Sequence, residues 1–249
     1  MSLNVFYHCY TPRSVGAQRY IAANDGIMFF NNSIGEQTSK IEEHGSMCMI
    51  ADGMSGLKND RLAVELAILL FRQLYMLGVP EFDVQHLKQF VEQGHQEIRT
   101  SIKQRNLPLM GVSFVVLWIF QGKAMWLSIG NCRLYQYRNE ELQQVSSDHS
   151  VAEFIRREWM HGKPTEKLAQ GWLFGSKIPN KAQHIFLTEG YDFGVIETKP
   201  GDRFMLINHA FDSLCDDDIR INMLRSDLMS SLPTSIDQQE RCIVCASVD

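Results

Sequence analysis

The sequence predicts an α+β fold in which antiparallel sheets carry helices on their outside, and three observations predict it. First, strand-like segments at 112–120, 123–130 and 133–139 follow one another with only "QG" and "NC" between them. Links that short join antiparallel strands, because a parallel crossover needs a dozen residues or more. Second, two helical patterns stand side by side, separated by Pro80. Residues 60–77 are apolar nearly all round (Leu62, Leu66, Leu69, Leu70, Leu74, Leu77), and residues 83–105 show the amphipathic spacing Val84, Leu87, Val91, Ile98, Ile102. Third, strands and helices come in runs. That excludes the regular βαβ alternation of a parallel sheet.

The remaining elements follow in order. Strands are expected at 4–10, 26–31 and 46–51, before the paired helices. "SVAE" at 150–153 reads as a capping box for a helix reaching about His161. Residues 162–200 are loop-rich and flap-like, with a strand near 183–187. A strand at 203–210, a helix at 216–231 and a strand at 241–248 complete the chain. The acidic run Asp216–Asp218 places favourable charge at the start of that helix. With no repeat, low-complexity tract or linker, residues 1–249 read as a single domain.

Hydrophobic residues at 45% and charged residues at 21% are ordinary for a globular protein. A net charge of −5 and a pI near 5.9, without any basic run, exclude a nucleic-acid footprint. The longest apolar run, 114–120, is far too short to span a bilayer. The opening "MSLNVFYHCYTPR" has no basic start followed by an apolar stretch, so a cytoplasmic location is expected. In that setting the six cysteines read as reduced thiols. Cys242 and Cys245 form a C-x-x-C, but in a strand they point to opposite faces, which argues against a zinc pair.

The stretch that carries chemistry is "CMIADGMSG", residues 48–56. An apolar run ends in one carboxylate, Asp52, followed by Gly53, Ser55 and Gly56. Aspartate there can cap a turn, or it can hold a metal while the glycines let a backbone carbonyl approach.

Several stretches, in order and over nearly the whole chain, resemble the PPM family of metal-dependent serine/threonine protein phosphatases, especially its compact bacterial form. "IADGMSG" (50–56) resembles the family's Asp-Gly-Met-Gly-Gly loop, and "MGVSF" (110–114) its Met-Gly-Thr-Thr strand entry. "LSIGNCRLYQYRNEELQQVSSDHS" (127–150) is similar to the Gly-Asp-Ser-Arg turn, hairpin and Asp-His-Ser. "KPGDRFMLINHAFDSLCDDDI" (199–219) resembles the strand that ends in Ser-Asp-Gly-Leu. The resemblance implies an αββα sandwich with Mg²⁺ or Mn²⁺ at one edge, where a metal-held water becomes nucleophilic. It places Asp52 at the metal-bridging position with the Gly53 carbonyl beside it.

Measured against that pattern, ligands are missing. The family's Arg-x-x-Asn-Glu-Asp falls on "YIAANDG": aligned on the last acid, Asp25 is kept, Glu becomes Asn24 and Arg becomes Tyr20. A one-residue slip would retain Asn24 and lose the last Asp. Arg19, beside the clamp position, would face the other side of a strand. Asn131, His209 and Gln239 replace acids elsewhere, and Glu240 stands next to the last of them. The implied metal set is therefore Asp25, Asp52 and Gly53, with His209 and Glu240 as further candidates, and Arg19 as the candidate for phosphate.

Two functions follow. One is a pseudophosphatase, a phosphatase-like signalling module that acts through contacts with a phosphoprotein or a protein-kinase pathway partner and holds Mg²⁺ or Mn²⁺ weakly, at one site. The alternative is an active divalent-metal phosphatase for phosphoserine or phosphothreonine. Asp148 and His149 suggest an acid–base pair but read as structural. Ser150 has no nucleophile elbow, His95, His161 and His184 have no ligand spacing, and Trp118 and Trp126 read as core.

Overall fold

The computed structural model describes residues 2–10, 20–24, 27–29, 33–40, 45–53, 60–77, 84–105, 111–149, 191–225 and 241–249. The first half holds strands β1 (Ser2–Tyr10), β2 (Tyr20–Asn24), β3 (Ile27–Phe29), β4 (Ser33–Lys40) and β5 (Ser46–Gly53). Helices α1 (Asp60–Leu77) and α2 (Val84–Gln104) come next. Then follow β6 (Val112–Phe120), β7 (Lys123–Ile129), β8 (Arg133–Arg138), β9 (Glu141–Gln144), β10 (Asp192–Glu197) and β11 (Arg203–Ile207). Helices α3 (His209–Asp212) and α4 (Asp217–Arg225) precede the last strand, β12 (Arg241–Val248).

The strands form two six-stranded sheets, β4-β1-β12-β11-β8-β9 and β10-β7-β6-β5-β2-β3. Neighbours pair antiparallel in both. Strand alternation sorts the side chains into three cores. Leu3, Val5, Ile50, Val115, Leu117, Phe204, Leu206 and Val244 are among those that fill the space between the sheets. On the outer face of the second sheet, Met47, Met49, Phe114 and Val116 pack on Val64, Ile68 and Phe71 of α1. On the outer face of the first, Tyr135, Met205 and Ile243 pack on Phe211, Met223 and Leu224. Helix, sheet, sheet, helix is the αββα arrangement that the motifs implied.

Period-2 reasoning holds for the cysteines of β12. Cys242 faces the inter-sheet core and Cys245 the outer one. Trp118 is core, and Trp126 packs at the inter-sheet edge of it. Asp216 caps α4, accepting the Ile219 N–H at 2.8 Å, and Asp217 and Asp218 lie in its first turn.

Four readings need correction. The "NC" link is no hairpin, because β7 and β8 belong to different sheets. Gly130, at φ +88°, turns the chain from one sheet into the other. The strand expected at 203–210 stops at Ile207, and Asn208 is the N-cap position of α3. Within the loop-rich 162–200, residues 192–197 form the edge strand β10. Finally, Cys9 and Cys242 are not reduced thiols but a disulfide. They lie directly opposite each other on β1 and β12, with Cα atoms 4.3 Å apart, while Cys48, Cys132, Cys215 and Cys245 are buried and outside any disulfide. The helix at 150–161 and the strand near 183–187 lie outside the described residues, as does the helix expected at 216–231 beyond Arg225.

Candidate functional site

β5 runs through the second sheet with Cys48 and Ile50 facing the first sheet. The same alternation carries Asp52 to that side at the strand's end, where it is half-buried. Ser113 of β6 is its direct cross-strand partner, and the Ser113 hydroxyl donates to the Asp52 carbonyl oxygen at 3.4 Å. The same hydroxyl lies 3.5 Å from the Cys132 thiol, at the entry to β8. Burial pushes that thiol well above its ordinary pKa, and the Asp52 charge pushes it the same way. The edge where the two sheets meet thus gathers a carboxylate, a hydroxyl and a protonated thiol. Half-buried Asn131 lies in the turn beside them.

Tyr20, at the family's arginine position, is directly opposite Asp52 on β2. Asn24 is opposite Cys48, four residues back along β5, roughly 13 Å of strand at about 3.3 Å per residue. His209 is not in a strand: it is exposed at the first position of α3. Asp25, Glu240 and Arg19 lie outside the described residues. Among the described residues, no three His, Cys, Asp or Glu side chains are grouped as a metal ion would need. That donor set does not fit a pair of hard cations, which require several oxygen ligands and compensating negative charge.

Asp148 and His149 turn away from each other. Arg133, first residue of β8, donates to both Asp148 oxygens at 2.8 and 2.6 Å, and these bonds push its pKa upward. Arg133 also donates to Asp212, the fully buried last residue of α3. Asp212 accepts from Tyr135 at 3.1 Å and from Arg220 Nε at 2.8 Å. Arg220 stacks over the Tyr135 ring, 5.1 Å from its centre. This lattice ties the turn that carries Asn131 to the helix that carries His209. Sequence reading missed it, because Arg133 lies 15 residues from Asp148 and 79 from Asp212, and no local spacing announces those pairs. Ser113 and Cys132 were also missed. Their signal was position, the residues following Gly-Val and Gly-Asn in two family-like motifs.

A solved structure of the Mycobacterium tuberculosis serine/threonine phosphatase PstP/Ppp superposes with a TM-score of 0.70 at 16% identity, covering 100% of both chains. The chain has the fold of the bacterial PPM-type serine/threonine phosphatases. The catalytic domain of PstP, solved in complex with two manganese ions, gives a TM-score of 0.65 at 18% identity over 99% of this chain and 100% of that one. In sequence, protein phosphatase PhpP of Streptococcus pneumoniae serotype 2 (strain D39) is 26% identical over 180 residues. That match spans 66% of this chain and 65% of the relative's length. No family model matches.

Proposed function

We propose that this chain is a single-domain pseudophosphatase, a PPM-type module that acts in cytoplasmic signalling by binding a phosphoprotein or a protein-kinase pathway partner. The observation that carries this reading is the company Asp52 keeps. Its described neighbours are a serine hydroxyl and a buried thiol held protonated, not further carboxylates. Asp148 and Asp212, on either side of Arg133, are engaged by arginine. With Asn131, His209 and Gln239 standing where the family motifs carry acids, two divalent cations would bind poorly.

A single Mg²⁺ or Mn²⁺ is the most this set would hold, through Asp52, the Gly53 carbonyl and Asp25, with His209 or Glu240 as further donors. Arg19 is the remaining candidate for contact with phosphate. The second reading, an active phosphatase of divergent site, draws on the phosphatase named among the relatives. Calorimetric titration with Mn²⁺ beside turnover of a phosphoserine peptide separates the two. Weak single-site binding with background turnover supports the pseudophosphatase, and tight two-site binding with turnover supports the enzyme.

A further inference from the structure

His149 holds the corner between the sheets from both sides of its own residue. Its backbone N–H donates to the Gly130 carbonyl at 2.7 Å, and the Gly130 N–H donates back to its ring Nδ1 at 2.9 Å. A ring nitrogen that accepts a backbone N–H carries no proton, so this imidazole is neutral with its hydrogen on Nε2. Nε2 is buried and points towards Asp192 of β10, 3.5 Å from its carboxylate. The preceding residue, Asp148, takes Arg133 at the other end of the same corner. Residues 130 to 133 are therefore gripped at both ends by two adjacent side chains.

What the grip holds is the candidate site. Gly130 presses so closely on Ser113 that a Cβ added to it would lie 2.3 Å from the Ser113 Cβ. Two residues on, Cys132 lies against the Ser113 hydroxyl beside Asp52. We propose that His149 is a positioning residue of this site: its Nδ1, as an acceptor, fixes the Gly130–Asn131–Cys132 corner and keeps the Cys132 thiol sealed against Ser113. The role holds whether or not the site turns over phosphate.

The four buried cysteines outside the disulfide, Cys48, Cys132, Cys215 and Cys245, are built-in reporters. Each can be followed by its alkylation rate in the native protein, read by peptide mass spectrometry. His149→Asn keeps an acceptor oxygen near the place of Nδ1, whereas His149→Gln moves it away. In His149→Gln, Cys132 should label about tenfold faster, the factor set by one lost buried hydrogen bond, with the other three thiols unchanged. His149→Asn should label like the wild type. If all four thiols speed up together, if none does, or if the Asn variant behaves like the Gln variant, the positioning role is refuted. Should the Gln variant not fold, the ¹⁵N spectrum of the wild-type imidazole decides. A neutral ring protonated at Nε2 supports the role, and a ring protonated at Nδ1 at neutral pH overturns it.

Discussion

Replacing Asp212 by Asn tests the lattice that ties the two sides of the site together. The carboxylate is 0% exposed and accepts from Arg133, Tyr135 and Arg220, while its backbone oxygen accepts from Arg220 Nη2 at 3.0 Å. The amide keeps one acceptor oxygen but removes the charge that two guanidinium groups face. Breaking a buried ion pair by removing one partner costs about 3–5 kcal/mol. Arg133 keeps Asp148, so the lower end applies, about 3 kcal/mol. For a chain of this length that lowers Tm by roughly 6–12 °C. Asp217→Asn is the matched control: it faces the same Arg220 at 2.8 Å, but its side chain is 76% exposed. An exposed pair contributes less than about 1 kcal/mol. Thermal and urea unfolding of both variants give the comparison. If Asp212→Asn costs no more than Asp217→Asn, the lattice is not what holds α3 to β8.

Two further outcomes follow from the structure. Burial, followed by the Asp212 charge, raises Tyr135 from 10.0 to about 12, and burial raises Cys215 from 9.0 to about 11. The unfolded chain releases these protons at lower pH than the folded one, so their stabilising effect is full below about pH 9 and lost as pH rises through about 12. Urea midpoints across that range, with tyrosinate absorbance, check it, and a flat profile to pH 12 contradicts it. Gly130→Ala should cost clearly more than Gly122→Ala. Both glycines have positive φ (+88° and +74°), but only at Gly130 would the new methyl meet a neighbour within 4 Å. Backbone strain of about 1–3 kcal/mol is common to both, so the difference between their unfolding free energies reports the close approach to Ser113.

Much of this was legible in the sequence, where local rules apply. An apolar run ending in Asp-Gly placed Asp52 at a strand end, and period-2 alternation put Cys242 and Cys245 on opposite faces. The "QG" hairpin was readable too: Gln121 and Gly122 both have positive φ, as that tight turn requires. The β8–β9 hairpin was implied only by the resemblance, because its turn is Asn139–Glu140, and glutamate at φ +66° breaks the usual local signal. A three-residue link looks the same whether it closes a hairpin or crosses between sheets, so the departure of β8 into the other sheet was invisible. His209 was read as strand because "RFMLINHA" stays apolar, while the stop is made by Asn208. That residue sits at the N-cap position of α3, its carbonyl accepting the Asp212 N–H at 2.9 Å, while its side chain takes the Cys242 N–H at 2.8 Å. Contacts such as Arg133–Asp212 and His149–Gly130 depend on the assembled fold, and no spacing rule reaches them.

The most direct test is Mn²⁺ titration by calorimetry on the wild type and on His209→Asp, with phosphoserine-peptide turnover measured on the same samples. The pseudophosphatase reading predicts weak, single-site binding in the wild type and tighter binding in His209→Asp, which returns the carboxylate that the family motif carries at that position. Turnover should stay at background in both, since Tyr20 stands where the phosphate-clamping arginine would be. Two tight sites and substantial turnover in the wild type, abolished by His209→Asp, would contradict it and make the histidine a working ligand.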